Sequence, residues 1–183
     1  SLKFFSKCSN LIRISSDIVA IAITGSAGKT SLKELLGKSL GKIYKTTYSK
    51  KSFNNKYGVP ISLFNITKKT RLGVFEIGMN KKGEIDYLSK LIKPNIGVIT
   101  NISYAHIKNF KNLFSIAKAK SEIIDNIIEN GSVVLNADDQ FYNYLKSKAL
   151  KKKLKIICFS KKNKSNIMLD KIIRYKNITS LKI

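Results

Sequence analysis

One segment constrains the fold of this chain more than any other part of the sequence. An apolar run from Ile18 to Ile23 is followed by a turn of small residues and then by Gly28-Lys29-Thr30, which opens a predicted helix. Backbone N–H groups of such a turn and of the helix N-terminus converge on an anion. Lys29 would reach the outer phosphates of a nucleotide, and the Thr30 hydroxyl would ligate Mg²⁺. We therefore predict that Mg²⁺-ATP contacts one loop, whose residues are Thr24, Gly25, Ser26, Ala27, Gly28, Lys29 and Thr30.

This loop is shorter than the standard phosphate-binding loop. The standard spacing has its first glycine five residues before the Gly-Lys pair, where this chain has Ile23, so only the pattern G-x-x-G-K-T is present. An ordinary glycine turn before a helix is the alternative interpretation, but the order of strand, turn and helix favours a phosphate site. Lys29→Ala is expected to weaken nucleotide binding more than Lys33→Ala, one helical turn further along. Equal effects would indicate bulk charge rather than a site.

The rest of the chain alternates predicted strands with predicted helices. Strands are predicted at 17–24, 43–48, 72–77, 96–101, 132–136 and 155–159, and helices at 1–14, 29–40, 59–65, 84–92, 112–128 and 139–145. Repeated βα units predict an α/β fold with a doubly wound, mostly parallel sheet flanked by helices, as in P-loop NTPases. We expect a linker helix at 1–16 and one domain over 17–183, with peripheral strands at 160–183.

The strong positive charge requires an explanation. The 183 residues include 35 Lys and Arg against 11 Asp and Glu, a formal net charge of +24. Only three of the basic residues are Arg, whereas side chains that read nucleic-acid bases are most often Arg. Lys, Ile and Asn can all be encoded by A and T alone, so a biased base composition explains the excess of Lys. We predict no specific nucleic-acid partner, although this field would attract an anionic small molecule.

Composition also excludes several other classes of protein. Hydrophobic residues make up 43% of the chain, too many for a wholly disordered protein. Cys8 and Cys158 cannot build a disulfide framework or a four-ligand zinc site, and free thiols suit a reducing compartment. The longest apolar run is too short to span a bilayer, and polar residues interrupt the N-terminal segment, unlike a signal peptide. We expect a cytoplasmic monomer without a membrane span.

Two further candidate residues follow predicted strands. Glu76 ends the apolar run Val74–Ile77, where a carboxylate is costly to bury unless it is paired or bound to a metal. His106, the only histidine, follows the strand at 96–101; a lone histidine is more often structural or merely exposed. Because the carboxyl ends of parallel strands share one edge of the sheet, Glu76, His106 and Thr30 together are consistent with a Mg²⁺-nucleotide site.

Lys120 lies on the apolar face of the predicted helix at 112–128. It shares helical spacing with Leu113, Ile116, Ile123 and Ile127. One interpretation is a lysine whose stem lies along the edge of the apolar stripe while its amine reaches water. The other is a desolvated amine of lowered pKa that faces a cleft and acts on a substrate or becomes modified.

The two acids after the strand at 132–136 also leave two interpretations open. Asp138 and Asp139 could cap the following helix or lie beside the nucleotide, and the cap is favoured.

Taken in order along the chain, these residues closely resemble the ATP-dependent Mur ligases. The resemblance covers residues 10 to 160 and implies the central ATPase domain of that family, with its N-terminal UDP-recognition domain and its C-terminal Rossmann-like domain absent from the sequence. The matching segments are Thr24 to Thr30, Asn54-Asn55-x-x-Gly58-Val59-Pro60, Glu76-Ile-Gly-Met-Asn80-x-x-Gly-Glu84-Ile, Lys93-Pro-x-Ile-Gly-Val-Ile-Thr-Asn101-Ile, Ala105-His106, Ile116-Ala-x-Ala-Lys120-x-Glu122-Ile and Leu135-Asn-Ala-Asp-Asp139.

The resemblance assigns a role to each matching residue. Lys29 and Thr30 would hold the phosphates and Mg²⁺, and Glu76 looks like the family's magnesium-binding glutamate. His106 looks like the histidine of the second metal site. Lys120 matches the lysine that several members carry as a carbamate, which turns a cation into a metal-binding anion. Lys29, His106 and Lys120 are thus the expected catalytic residues, and the expected substrate-binding residues are Asn54, Asn55 and Gly58.

The resemblance also implies substrates and a reaction. Two of the segments look most like the branch of the family that adds D-alanyl-D-alanine to UDP-N-acetylmuramoyl-tripeptide during peptidoglycan precursor synthesis. A substrate carboxylate attacks the γ-phosphate of ATP, and the dipeptide amine then displaces phosphate from the acyl phosphate. Without further domains, the chain alone is expected to bind ATP weakly and to form no peptide bond.

Two other function classes remain open at this stage. One is a related amide ligase of the folylpolyglutamate or cyanophycin type, although the Asn54-Asn55-x-x-Gly58-Val59-Pro60 segment counts against it. The other is a non-catalytic basic module that binds nucleotides or nucleic acid. Binding to a nucleic-acid backbone would weaken steeply with salt, which distinguishes that class.

Overall fold

A seven-stranded sheet forms the centre of the computed structural model, which describes residues 1–104, 109–162, 165–175 and 178–182. The strands are β1 (Val19–Thr24), β2 (Thr46–Tyr48), β3 (Leu72–Glu76), β4 (Ile96–Ile99), β5 (Ser132–Asn136), β6 (Lys155–Ser160), β7 (Ile167–Met168), β8 (Lys171–Tyr175) and β9 (Ile178–Lys182). The helices are α1 (Leu2–Ile14), α2 (Lys29–Leu40), α3 (Gly58–Phe64), α4 (Glu84–Ile92), α5 (Leu113–Lys120), α6 (Glu122–Asp125) and α7 (Tyr142–Lys151).

The topology of the sheet determines where a ligand can bind. The strand order is β2-β3-β1-β4-β5-β6-β7, and every neighbouring pair is parallel, which confirms the predicted α/β fold. The chain places β2 and β3 on one side of β1 and then crosses to place β4 on the other side. Ligands of such sheets bind at this reversal of strand order, beyond the carboxyl ends of the strands. β8 and β9 form a separate antiparallel hairpin.

Apolar side chains pack on both faces of the sheet. On one face Ala20 and Ala22 of β1 belong to the large cluster formed with α3, α4, α5 and α6. On the other face Ile21 and Ile23 pack with leucines of α2. Because both faces are covered, a strand such as β1 must be apolar along its whole length rather than alternating. The uninterrupted run at Ile18–Ile23 is therefore the mark of a central strand.

Two helices differ from the predicted ones. The helix predicted at 112–128 is two helices, because after Ser121 the backbone continues through short i to i+3 hydrogen bonds, such as Ile124 N–H to Ser121 O at 3.0 Å. The helix predicted at 139–145 begins only at Tyr142. Asn136 and Asp139 fold the preceding residues into a turn, in which Asp139 Oδ1 accepts a 2.9 Å hydrogen bond from Phe141 N–H.

A buried arginine helps to hold the first helix against the domain. Arg13 Nε donates to Ile92 O at 2.7 Å and Nη2 donates to Lys93 O at 3.0 Å, so the guanidinium binds the carbonyls at the C-terminus of α4. Burial lowers the pKa of the Arg13 guanidinium. No helix in the described part of the chain is long and apolar enough to cross a membrane.

Candidate functional site

The loop between β1 and α2 has a backbone that only glycine adopts readily. Gly25 has a φ of 149° and Gly28 a φ of 79°. A Cβ placed on Gly25 would lie 1.8 Å from Oγ1 of Thr100, the residue after β4. Glycine is therefore needed at position 25 for two reasons, the backbone conformation and the close approach of a neighbouring strand end.

Residues that follow β4 brace this loop. Asn101 Oδ1 accepts hydrogen bonds from Ser26 N–H at 3.1 Å and Ala27 N–H at 2.9 Å. Thr100 Oγ1 donates to Ala27 O at 2.6 Å, and Ser103 N–H donates to Ser26 Oγ at 2.9 Å. The sequence analysis predicts no role for Thr100 and Asn101. The available signal is topological, since β4 pairs with β1 and its carboxyl end lies beside the loop.

Glu76 is buried beside the first turn of α2. Its side chain accepts a 2.8 Å hydrogen bond from Thr30 Oγ1 at Oε2 and a 2.7 Å hydrogen bond from Asn54 Nδ2 at Oε1. Both donors are neutral, and no Lys or Arg in the described part of the chain forms a salt bridge with this carboxylate. A buried carboxylate without a counter-ion, next to a hydroxyl oxygen, has the chemistry of a hard-cation site.

The donor set around Glu76 fits magnesium held jointly with a nucleotide. Among the described residues no group of three or more His, Cys, Asp or Glu side chains could hold a metal ion. Mg²⁺ in nucleotide sites is usually bound by one or two carboxylates together with phosphate and water oxygens, so a dedicated protein cage is not required. Glu76 and Thr30 would supply the protein oxygens of such a site.

Thr24 adds a second observation that fits a ligand at this loop. The residue ends β1 and is fully buried, yet its Oγ1 has no hydrogen-bond partner among the described residues. A buried hydroxyl without a partner costs free energy, about 1–3 kcal/mol, that a bound ligand can recover. Thr24 directly precedes Gly25, so this residue lies at the start of the candidate phosphate loop.

Two lysines lie at the site, and their positive charges oppose each other. Lys29 Nζ donates to Gly25 O at 2.9 Å, so its amine lies over the loop. Lys120 is 2% exposed at the end of α5. Burial, and secondly the positive charge of Lys29, lower the pKa of Lys120 to about 7. The structure therefore favours the desolvated amine over the solvent-reaching lysine, and it brings Lys120 to the same edge of the sheet as Lys29.

The structure agrees with the sequence-based predictions for some of the other candidate residues and not for others. Thr30 and Glu76 are in contact, as predicted for a shared site. His106 lies outside the described residues. Neither Asp138 nor Asp139 caps α7, whose N-cap is Phe141 without a side-chain cap hydrogen bond, so the favoured cap interpretation is wrong. Asp139 accepts a hydrogen bond from Phe141 N–H in the preceding turn, and its Oδ2 accepts a 2.6 Å hydrogen bond from Ile102 N–H. Asp138 accepts hydrogen bonds from Lys161 N–H and Ser160 Oγ instead, and so holds the end of β6.

A cleft of about 610 Å³ opens beside the loop. Asn54 and Asn55 line it, whereas Gly58 is buried and would bring a Cβ within 2.5 Å of Phe53. Asn55 Oδ1 accepts hydrogen bonds from Tyr57 N–H and Gly58 N–H, both at 3.0 Å, so this side chain shapes the start of α3. Four lysines and one acid lie along the cleft, a balance that favours an anionic ligand. These residues are Lys29, Lys56, Lys81, Lys82 and Glu84.

Lys33, one helical turn after Lys29, is a fully buried lysine. Its side chain is 0% exposed, and its ammonium donates to Ser49 O at 2.8 Å and to Lys51 O at 2.7 Å. The local sequence assigns no such contact to Lys33. A chain segment sixteen residues further along covers the amine, which a local helical pattern cannot reveal.

Comparisons with known proteins agree with this geometry. A family profile described as "Mur ligase middle domain" matches residues 23–183. The chain is 37% identical over 177 residues to the UDP-N-acetylmuramoyl-tripeptide--D-alanyl-D-alanine ligase of Buchnera aphidicola subsp. Baizongia pistaciae (strain Bp), which covers 97% of this chain and 38% of that protein.

Solved structures give the same result. MurF from Acinetobacter baumannii superposes with a TM-score of 0.92 at 30% identity, over 98% of this chain and 39% of that one. The MurF ligase of Thermotoga maritima in complex with ADP superposes with a TM-score of 0.87 at 25% identity, over 98% of this chain and 41% of that one. The chain thus spans about two fifths of the length of the proteins that it matches.

Proposed function

Because this chain belongs to the Mur ligase family, through the middle domain of that family, we propose that it is the ATP-using part of a peptide ligase. The reaction is the addition of D-alanyl-D-alanine to UDP-N-acetylmuramoyl-tripeptide, which is the activity in the name of the Buchnera relative. The observation that carries the proposal is the hydrogen bond between Thr30 and the buried Glu76 carboxylate, beside the loop at 25–28. That contact joins a phosphate-binding element to a cation-binding carboxylate, the combination that phosphoryl transfer from ATP requires.

The loop and the residues beside it would bind the phosphates and the metal ion of the nucleotide. The N–H groups at the start of α2 and the Lys29 amine bind the phosphates, and Thr24 Oγ1 has a free hydrogen-bonding capacity beside them. Thr30 and Glu76 would hold Mg²⁺, and the ion would supply positive charge that neutralises the phosphates. Asn101 fixes the turn in advance, so little ordering is needed when the nucleotide binds.

Lys120 is proposed to carry a carbamate in this site. At neutral pH a large fraction of its amine is uncharged, because its pKa is lowered to about 7. The neutral amine attacks CO₂, a C–N bond forms, and one proton leaves to solvent, giving a carbamate anion. The negative charge would relieve the repulsion from Lys29 and add an oxygen ligand for a metal. His106 is the proposed histidine of that second metal site, as its place in the family motif implies.

The cleft beside the loop is the proposed place of the tripeptide. Asn54 and Asn55 line it, and its lysines complement the carboxylates of the substrate. The finer assignment of Gly58 as a substrate contact is not proposed further, since that residue packs against Phe53. Both ATP and UDP-linked precursors are cytoplasmic, so we place the reaction in the cytoplasm and propose that the protein acts as a monomer.

Two measurements test this function. The chain alone, given Mg²⁺-ATP and both substrates, is expected to bind nucleotide but to yield no pentapeptide by mass spectrometry. A chimera of Acinetobacter baumannii MurF, in which this chain replaces the superposed segment, is expected to form UDP-N-acetylmuramoyl-pentapeptide. The matched control is the same chimera with Lys29→Ala.

The outcomes separate the parts of the proposal. Product from the Lys29→Ala chimera at the unmodified rate would show that the loop is not the ATP site. A chimera that melts cooperatively and binds ADP but forms no product would show that the substrates are wrong. Pentapeptide formation by the chain alone would refute the idea that it needs other domains.

A further inference from the structure

Lys33 is the largest fully buried side chain of the protein among the described residues, and it carries an ammonium group. It lies on α2, one helical turn after Lys29. The Nζ atom donates to Ser49 O at 2.8 Å and to Lys51 O at 2.7 Å, and lies 2.7 Å from Glu34 Oε1. The hydrogen bond and charge of Lys33 lower the pKa of Glu34. Burying an ammonium is costly unless its three hydrogens all find acceptors, and here they do.

The two carbonyl acceptors belong to the loop that leaves β2. Lys51 has a φ of 48°, in the left-handed region, which turns its carbonyl toward the interior. Ser49 is also tied to β3, since its Oγ accepts a hydrogen bond from Glu76 N–H at 3.3 Å. The ammonium therefore connects the helix of the phosphate loop to a segment that would otherwise be held mainly at its two ends.

The same loop delivers Asn54 to the candidate metal site. Asn54 Nδ2 donates to Glu76 Oε1 at 2.7 Å, and Asn54 O accepts a 2.7 Å hydrogen bond from Gly78 N–H. With Oε1 held in this way, Oε2 is directed at Thr30. Asn54 therefore contacts the carboxylate directly, and it lies three residues after Lys51, whose carbonyl Lys33 binds.

We propose that Lys33 is a positioning residue of the site: by binding the carbonyls of Ser49 and Lys51 it holds Asn54 against Glu76, and so sets the direction in which the Glu76 carboxylate faces. What that carboxylate binds rests on the proposed function. The positioning itself concerns the protein without ligand and can be measured separately.

Hydrogen exchange of the ligand-free chain tests the positioning directly. In Lys33→Met, the Gly78 amide is expected to exchange about tenfold faster, the effect of losing one well-made hydrogen bond, while the amides of β5 change little. The matched control is Lys38→Met, because Lys38 also lies near Glu34, at 4.0 Å, but its side chain is 72% exposed. Lys38→Met is expected to leave the Gly78 amide unchanged.

A second readout uses ADP and Mg²⁺ as probes. Lys33→Met is expected to need several-fold more Mg²⁺ for half-maximal ADP binding, with ADP binding in the absence of metal unchanged. A lysine that merely stabilises the fold would not produce this difference. If Lys33→Met does not fold, Lys33→Gln, a neutral side chain that still donates hydrogen bonds, is measured in the same way.

Two results would overturn the inference. One is an unchanged Gly78 amide in a folded Lys33 variant, and the other is a uniform rise in exchange that includes β5. If ADP does not bind even the unmodified chain, the proposed function fails, whereas the exchange result still decides the role of Lys33.

Discussion

The hydroxyl of Thr30 donates a 2.8 Å hydrogen bond to Oε2 of Glu76. This contact joins the first turn of α2 to the carboxyl end of β3, 46 residues further along the chain. It also keeps the buried carboxylate facing the loop where the nucleotide phosphates are proposed to bind. A substitution of either Thr30 or Glu76 should therefore change the Mg²⁺ concentration that nucleotide binding requires.

Glu76→Gln is expected to weaken the binding of the Mg²⁺ that accompanies ADP. The amide keeps the size of the side chain but removes its charge, so about tenfold more Mg²⁺ should be needed for half-maximal binding, a cost of about 1.4 kcal/mol. Calorimetric titrations of ADP at several Mg²⁺ concentrations measure this. Glu129→Gln, at an exposed position, is the control. Identical Mg²⁺ curves for the Glu76 variant and the unmodified chain would remove Glu76 from the metal site.

Lys29→Ala is expected to weaken ADP binding by about 1.5–3 kcal/mol, because it removes a charged hydrogen bond to phosphate. Lys38→Ala removes the same charge from an exposed position of α2 and should cost less than about 0.5 kcal/mol. Fluorescence titration with a labelled ADP analogue compares the two. Equal losses that vanish at high salt would indicate attraction by the general field rather than a site.

Gly25→Ala is expected to destabilise the fold by about 3 kcal/mol or more, since it adds a steric overlap with Thr100 to backbone strain. Gly28→Ala is the matched comparison. Its φ is also positive, but no atom lies within 4 Å of the added Cβ, so only strain of about 1–2 kcal/mol is expected. Urea unfolding of both variants measures the difference. Equal destabilisation would mean that Thr100 moves aside freely.

Lys120 should make the stability depend on pH above neutrality. The pKa of Lys120 is about 7 in the folded chain and near 10.5 in the unfolded chain. Between these two pH values the unfolded chain therefore binds more protons than the folded chain. The free energy of unfolding therefore rises with pH between about pH 7 and pH 10.5, by up to about 1.4 kcal/mol per pH unit. Below about pH 7 the amine is charged in both states, so the full cost of burying its charge is present. Lys120→Met should remove this slope and stabilise the chain most at low pH.

Unfolding of metal-free and CO₂-free protein between about pH 6 and pH 9 checks the Lys120 prediction. The control is Lys118→Met, an exposed lysine two residues earlier on α5. Parallel stability curves for the Lys120 variant and the unmodified chain would show that the amine keeps its ordinary pKa.

Labelled bicarbonate tests the carbamate itself. With ¹³C-bicarbonate, the chain at neutral to mildly alkaline pH is expected to show one slowly exchanging carbamate carbonyl resonance. The signal should disappear in Lys120→Met and persist in Lys118→Met. A signal retained in Lys120→Met would assign the modification to another amine.

The sequence predicts those parts of the site that depend on local pattern. The apolar run at Ile18–Ile23 followed by Gly28-Lys29-Thr30 requires a strand, a turn and a helix in that order, and the structure has them. Glu76 stands out because a carboxylate ends an apolar strand. Lys120 stands out because a cation lies on an apolar stripe. Each signal is contained within a few neighbouring residues.

The parts that sequence reasoning missed depend on contacts between distant segments. Thr100 and Asn101 brace the loop only because β4 pairs with β1, about 75 residues away. Lys33 looks like any polar residue of an amphipathic helix until the loop after β2 covers it. A periodic pattern records which face of a helix is apolar, but not which backbone carbonyls will reach a charged side chain.

The two ends of the sheet are its shortest strands. At one edge lies β2 with three residues, and at the other lies β7 with two. The unpaired N–H and C=O groups of an edge strand can pair with a strand of another polypeptide, and a longer edge strand has more of these groups. A second copy of the molecule therefore finds almost no template for extending the sheet, and the net charge of +24 opposes its approach. The architecture that gathers the proposed nucleotide site at the middle strands thus also limits extension of the seven-stranded sheet at its two edges.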